Sequence, residues 1–65
     1  MKEITFGDRV KTHRLLRKMT QTALADRAAV SRMTISRIEK GHGGGNVETV
    51  RKIAGALRLN INELI

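Results

Sequence analysis

The 65-residue chain has no cysteine, proline, tryptophan or tyrosine, and Phe6 is its one aromatic residue. Without cysteine there is no disulfide and no thiolate metal ligand, so the stability must come from apolar packing. The absence of proline favours uninterrupted helices. Proteins that bind RNA or single strands usually stack bases on aromatic rings, so the shortage of aromatic residues makes those functions less favoured.

Long apolar runs are also absent. No segment approaches the roughly 18 apolar residues of a membrane-spanning helix, and the N-terminus does not have the pattern of a signal peptide. We therefore expect a cytoplasmic protein that has no membrane partner. A chain of 65 residues can bury one small core, which predicts a single domain over residues 1–65 with residues 1–4 frayed.

The charge of the chain is strongly unbalanced. Thirteen lysine and arginine residues stand against six aspartate and glutamate residues, which gives a formal net charge of +7 and a pI near 11.3. Such a charge favours polyanions, but it does not by itself distinguish DNA from RNA, an acidic protein or an anionic membrane surface. A solvated basic surface without any nucleic-acid role is the alternative interpretation.

The segment over residues 20–41 has the pattern of two short helices joined by a tight turn. Thr20 is suited to cap the first helix, in which Leu24, Ala25 and Ala28 follow at helical spacing. The second helix is predicted over about residues 31–40.

Ser31 can cap this second helix, and Gly41 ends it. Ile35 and Ile38 lie three residues apart on one face of the helix and predict its buried side. The remaining positions are mostly polar and basic, and they are Arg32, Met33, Ser36, Arg37 and Lys40. An arginine fork matches the O6 and N7 acceptors of guanine in the major groove and also suits phosphate oxygens. Duplex DNA is therefore the first partner to consider.

This ordered set of residues resembles the DNA-binding domain of the phage-repressor, or Xre-type, helix-turn-helix family. The matching residues are Thr20, Gln21, Ala25, Val30, Ser31, Ile35, Arg37, Ile38, Glu39 and Gly41, followed by residues 47–50, Ile53, Ala54, Leu57 and residues 62–64. Ala29 stands where the family often has glycine. If this position has a positive φ, alanine costs roughly 1 kcal/mol relative to glycine.

The resemblance implies an all-α fold, a compact five-helix domain similar to that of lambda repressor, with the helix-turn-helix unit at residues 20–41. The first helix is predicted over residues 6–18, because Thr5 and Asp8 have the spacing of a capping box. Asn46 is expected to cap the fourth helix. Asn60 and Glu63 again have capping-box spacing, at the start of the fifth helix.

The resemblance also implies the function, which is sequence-specific binding of double-stranded DNA by a repressor-like transcriptional regulator. The helix at residues 31–40 would enter the major groove. The expected base contacts are Arg32, Met33, Ser36 and Arg37. The expected phosphate contacts are Arg14, Arg17, Thr20, Gln21 and Lys40. In the family, the residue equivalent to Arg14 pairs with the acid equivalent to Glu39, so a structural pair of these two is expected; two unrelated surface charges are the alternative.

Two of the assigned residues have other interpretations. Met33 could contact a thymine methyl group or fold back between the helices. Gln21 could be no more than a good helix former.

One recognition helix reads only about 4 to 5 base pairs, so we expect a homodimer on a pseudo-palindromic operator. The apolar C-terminal residues Ile61, Leu64 and Ile65 either complete the core of the monomer, contact a second copy, or continue into a longer chain. The competing hypothesis is a protein-interaction module, such as the DNA-binding antitoxin of a toxin–antitoxin pair with a partner protein. Nonspecific chromatin or RNA binding is a third hypothesis.

Residue patterns for catalysis or metal binding are not found. His13 and His42 lie far apart in the sequence and have no cysteine beside them, so we expect no metal site. The glycines after His42 are not followed by the lysine and serine or threonine of a phosphate-binding loop. No nucleophile has an evident base and oxyanion site, so we expect neither an enzyme nor a cofactor.

Overall fold

A computed structural model describes residues 4–43 and 46–64, and these residues contain four α-helices and no strand. The helices are α1 (Phe6–Leu16), α2 (Gln21–Ala28), α3 (Arg32–Glu39) and α4 (Val47–Ala56). The all-α class is therefore confirmed. The expected fraying at residues 1–4 falls mostly outside the described residues, which begin at Ile4.

The predicted fifth helix is wrong in type, because Ile61–Glu63 forms a single turn of 3-10 helix. Its three residues are too few for the bonding pattern of an α-helix. The Asn60 side chain also makes no capping hydrogen bond to this turn, so the capping box expected there is absent. None of the helices in the described ranges is long and apolar enough to span a bilayer.

A side-chain cap begins each of the four α-helices. At α1, the Thr5 hydroxyl accepts from the Asp8 amide and the Asp8 carboxylate accepts from the Thr5 amide, both at 3.1 Å. Thr20, Ser31 and Asn46 accept from the amides three residues later, at 3.0, 3.1 and 2.8 Å. These hydrogen bonds confirm all four predicted caps. Each cap satisfies an amide that the first turn leaves without a partner.

A left-handed residue follows each of the four α-helices. Lys18, Ala29 and Arg58 have φ values of 55°, 57° and 58°, and Gly41 has a φ of 84° after α3. Helix α1 ends at Leu16, earlier than the predicted residue 18, because the chain reverses at Lys18. The positive φ anticipated at Ala29 is present, so the chain carries the steric cost of a Cβ in this conformation.

Replacing Ala29 by glycine is expected to raise the free energy of unfolding by about 0.5 to 1 kcal/mol, because glycine adopts positive φ without steric conflict. Ala23→Gly is the control, since it makes the same change within α2 and should cost about 0.5 to 1 kcal/mol. Urea denaturation monitored by circular dichroism measures both. A loss of stability in Ala29→Gly would show that the turn does not need a left-handed residue.

The core joins apolar residues from all four α-helices and the C-terminal turn. Helix α2 packs against α3 and α4, and α1 packs against α3. The buried cluster consists of Val10, Leu24, Ala25, Ala28, Ile35, Ile38, Ile53, Ala54, Leu57 and Leu64. The helical spacing of these residues brings them to the inner face of each helix.

Leu64 belongs to this core and is 0% exposed. The alternative in which Leu64 contacts a second copy is therefore not supported, because the monomer already covers its side chain. Ile61 is half-buried, and Ile65 lies outside the described residues. The apolar C-terminus thus completes the monomer core as far as Leu64, which was one of the alternatives left open by the sequence.

Gly7 allows α1 to approach the end of α3 closely. A Cβ at this position would overlap the carbonyl oxygen of Ile38 and lie 3.3 Å from the Cα of Glu39. The obstructing atoms belong to the backbone, so they cannot move aside by a change of rotamer. This approach places α1 directly beside the end of α3 that carries Glu39.

Candidate nucleic-acid interface

Helix α3 has one buried face and one exposed face. Ile35 is 0% exposed and Ile38 is 3% exposed, so these two residues anchor the helix in the core. The side chains of Arg32, Met33, Arg37 and Lys40 are exposed, and Ser36 is half-buried. Three cations therefore lie on the exposed side of α3. Glu39, the acidic residue of this helix, does not neutralise these positive charges at the surface, because its side chain is only 4% exposed.

Glu39 is held by a buried ion pair with Arg14. Arg14 Nε donates to Glu39 Oε2 at 2.7 Å, and Arg14 Nη2 donates to Glu39 Oε1 at 3.0 Å. The third nitrogen, Nη1, donates to the Met19 carbonyl oxygen at 2.7 Å. One guanidinium group thus joins α1, the loop before α2 and the end of α3. This bidentate ion pair also fixes the orientation of both side chains.

The pKa of Arg14 is raised above its already high ordinary value. The main cause is the hydrogen bonding to the Glu39 carboxylate, which favours the charged guanidinium; burial acts in the opposite direction. A raised pKa on a cation contributes stability at every pH below the unfolded-state value. The contribution of Arg14 is therefore constant across the neutral range.

This geometry favours a structural role for Arg14 over the predicted phosphate contact. All three of its nitrogens already donate to acceptors within the protein. Its side chain is 10% exposed, so its remaining N–H groups have little access to an outside ligand. The buried pair that fixes α1 against α3 uses the donors that a phosphate would need.

Gln21 connects this pair to the exposed face of α3. Its Nε2 donates to Glu39 Oε1 at 3.2 Å, and Arg32 Nη1 donates to Gln21 Oε1 at 3.5 Å. A chain of polar contacts therefore runs from Arg14 through Glu39 and Gln21 to Arg32. The bond between Gln21 and Glu39 was not predicted from the sequence, because the two residues lie on different helices and share no local pattern.

The other residues expected at phosphates lie on the surface around the start of α2 and the end of α3. Arg17 Nη1 donates to the His13 carbonyl oxygen at 2.9 Å, which fixes part of an exposed side chain. Thr20 caps α2, and its hydroxyl keeps a proton to donate outward. Lys40 is exposed at the C-cap of α3. The free amides of the first turn of α2 add positive potential beside these residues.

Among the described residues, no group of three or more histidine, aspartate or glutamate side chains could hold a metal ion. The surface is instead an exposed basic helix, fixed across a tight turn to a second helix whose first turn lies nearby. This arrangement defines a helix-turn-helix domain, in which the second helix of the unit meets the major groove.

Comparison with known proteins agrees with this class. Residues 10–64 match the family model described as helix-turn-helix. The chain therefore belongs to the helix-turn-helix family of DNA-binding proteins, which includes phage repressors. This is a family of regulators and not of enzymes.

One curated relative is the immunity repressor protein of Bacillus phage phi105, which is 34% identical over 62 residues. The alignment covers 95% of this chain and 43% of the repressor, so the chain spans less than half the length of that relative.

Solved structures share the fold along nearly the whole chain. The restriction-modification controller protein C.AhdI from Aeromonas hydrophila has a TM-score of 0.90 and 26% identity, covering 95% of this chain and 94% of its own. The DNA-binding domain of the P22 c2 repressor has a TM-score of 0.91 and 28% identity, covering 98% and 84%. A P22 c2 repressor bound to a synthetic operator has a TM-score of 0.88 and 28% identity, covering 94% and 92%.

Proposed function

We propose that this chain is the DNA-binding domain of a sequence-specific, repressor-like transcriptional regulator that acts on duplex DNA in the cytoplasm. The observation that carries the proposal is the exposed side of α3, where Arg32, Arg37 and Lys40 face outward over a helix anchored by two isoleucines. Family membership and the similarity to a repressor solved with its operator support it.

Base recognition rests on the exposed side of α3. The proposed base contacts are Arg32, Met33, Ser36 and Arg37. Arg37 is suited to the O6 and N7 acceptors of one guanine, because its planar fork matches both atoms at once. Met33 is 65% exposed, so it can reach a thymine methyl group without first leaving the core. Ser36, being half-buried, can reach only a base edge that lies close to the helix.

Positioning on the duplex rests on residues around the start of α2 and the end of α3. The proposed phosphate contacts are Arg17, Thr20, Gln21 and Lys40. The first turn of α2 directs free amides toward a phosphate, and Thr20 and Gln21 add side-chain donors beside them. Because Gln21 also contacts Arg32, a phosphate bound at α2 would fix the start of α3 relative to the base edges.

A second copy is needed for specificity, because one α3 reads only about 4 to 5 base pairs. We propose a homodimer on a pseudo-palindromic operator whose half-sites are one helical turn, about 34 Å, apart. The dimer surface excludes Leu64, which the monomer core already covers.

Selection from a randomised duplex pool at two salt concentrations tests the proposal. Enrichment of a pseudo-palindromic sequence is the expected result. Binding without enrichment, weakened uniformly by salt, would instead indicate a nonspecific nucleic-acid binder. An absence of duplex binding would contradict the proposal and favour the alternative of a module that contacts a partner protein.

Arg37→Ala is expected to weaken binding to the selected duplex by roughly 1 to 3 kcal/mol and to relax preference at one base position. Arg17→Ala should weaken binding to all sequences alike and lower the salt slope by about one. Fluorescence anisotropy against single-base variants of the duplex measures both. Arg51→Ala, which removes an exposed arginine from α4, is the control for charge alone. A uniform loss from Arg37→Ala would assign this residue to the phosphate contacts.

A further inference from the structure

A cavity of about 210 Å³ lies where the ends of α1, α2 and α4 meet, and no residue of α3 contributes to it. Its lining is formed by Arg17, Met19, Arg27, Ala56, Leu57 and Arg58. Half of these residues are arginines that come from three separate parts of the chain. The lining includes no acid, so the described part of the chain supplies three positive charges to this cavity and no negative charge.

Among the described residues, none supplies a carboxylate partner to these arginines. Within residues 4–43 and 46–64, the side chains of Arg27 and Arg58 have no hydrogen bond or ion pair, and Arg17 donates only to His13. Like charges that line one cavity repel each other, although water partly screens the repulsion because Arg17, Arg27 and Arg58 are exposed. A bound oxyanion would relieve this repulsion and satisfy several N–H donors at once.

The backbone conformation at Arg58 makes glycine a suitable test substitution at this position. Arg58 has a φ of 58°, a conformation in which glycine would avoid a steric cost. The turn is fixed by two hydrogen bonds, from the Arg58 amide to the Gly55 carbonyl at 3.1 Å and from the Leu59 amide to the Ala54 carbonyl at 2.8 Å. Glycine at position 58 should therefore remove the guanidinium group from the cavity lining and leave the backbone turn intact.

We propose that Arg17, Arg27 and Arg58 form an oxyanion site for a phosphate group, separate from the exposed side of α3. The cavity is smaller than the roughly 300 to 1,000 Å³ of sites for drug-sized molecules, so it suits a phosphate or pyrophosphate group and not a whole nucleotide. The phosphate can belong to a small soluble compound or to the backbone of a duplex. A soluble compound would make the site a means of control by a metabolite, and a duplex would extend the contact with DNA to the flank of the domain.

Titration of the ¹⁵N-labelled domain with pyrophosphate tests the site, with ionic strength held constant by chloride. We expect saturable shifts in the arginine Nε–H signals of Arg17, Arg27 and Arg58. Arg58→Gly should weaken pyrophosphate binding by at least about tenfold, because it removes a charge-assisted donor. This variant should fold, since glycine favours the left-handed turn.

Lys18→Gly is the matched control. It also removes one positive charge at a left-handed position, but Lys18 does not line the cavity. Pyrophosphate affinity that is retained in Lys18→Gly and lost in Arg58→Gly supports the site. Equal affinity in wild type and Arg58→Gly, or equal losses in both variants, would overturn it in favour of a diffuse charge effect.

A second titration distinguishes the two sources of phosphate. Arg17 is also a proposed DNA phosphate contact, so displacement is followed at Arg27 and Arg58. If a duplex displaces pyrophosphate from these two residues, the backbone of the DNA occupies the site. If pyrophosphate shifts the signals of these two residues in the protein–duplex complex, the site takes a soluble phosphate compound. Failure of duplex binding with retained pyrophosphate binding would contradict the proposed function and leave the oxyanion site standing.

Discussion

Glu39→Ala is expected to lower the free energy of unfolding by about 3 to 5 kcal/mol, because it leaves the Arg14 guanidinium buried without its partner. The Arg14 and Glu39 side chains are only 10% and 4% exposed, so water has limited access to the guanidinium group that loses its carboxylate. A domain of 65 residues has a total stability of about 3 to 10 kcal/mol at ordinary values per residue. The substitution therefore removes much of the stability, and urea denaturation at low temperature measures the loss.

A double-mutant cycle separates the pair from other effects of truncation. Arg14→Ala, Glu39→Ala and the double variant should give a coupling free energy of about 1 to 3 kcal/mol. The pair of Lys52 and Glu48 is the control, because its 3.6 Å contact joins side chains that are 43% and 77% exposed. Coupling in that exposed pair should stay below about 0.5 kcal/mol. Coupling near zero between Arg14 and Glu39 would contradict the role assigned to the buried pair.

Gly7→Ala should destabilise the domain by about 2 kcal/mol or more, because the added Cβ would overlap the Ile38 carbonyl oxygen and force α1 away from α3. Gly55→Ala is the matched control in α4. A Cβ at Gly55 would meet no atom of the described residues within 4 Å apart from its own helix, so alanine there should gain about 0.5 to 1 kcal/mol from helix propensity.

Thermal and urea denaturation of the two alanine variants should therefore give changes of opposite sign. At a temperature where the Gly7→Ala variant is still folded, it should also lose duplex affinity, because Glu39 lies at the place where the two helices separate. Unchanged or increased stability in Gly7→Ala would show that α1 and α3 do not need this close approach.

The features that the sequence predicted well are those determined by neighbouring residues. Thr5, Thr20, Ser31 and Asn46 were predicted as caps because a cap needs only a short polar side chain and the amides that follow it. The buried spacing of Ile35 and Ile38 follows from the period of the helix in the same way. The all-α class and the family follow from the order of these local features.

The features that were missed depend on distances between parts of the chain that are far apart in sequence. The role of Gly7 depends on how closely two backbones approach, and the apolar pattern contains no information on that distance. An apolar Leu64 is consistent with both a monomer core and a dimer surface. Only its position in the packed core distinguishes the two. The arginine cavity combines Arg17, Arg27 and Arg58 from the ends of different helices, which no local pattern brings together.

The candidate site also has some features that depend on neighbouring residues and others that depend on residues far apart in the sequence. The exposed positions of Arg32, Arg37 and Lys40 could be derived from the period of α3. The hydrogen bonds of Gln21 could not be derived in this way. Gln21 bonds to Glu39, which is 18 residues away in the sequence, and to Arg32, which is 11 residues away. These contacts join the residue at the start of α2 to the first and the last residues of α3. We infer that the exposed side of α3 is ordered before DNA binds, which lowers the entropy cost of binding.

Methylation interference on a selected duplex tests the central claim most directly, because it reports which groove the exposed side of α3 occupies. Guanine N7 lies in the major groove and adenine N3 lies in the minor groove. If α3 reads the major groove, methylation of N7 at the preferred guanines should abolish binding of the wild-type domain, and methylation of adenine N3 within the same half-site should have little effect. Full binding to duplexes methylated at guanine N7 would contradict the proposed recognition by α3.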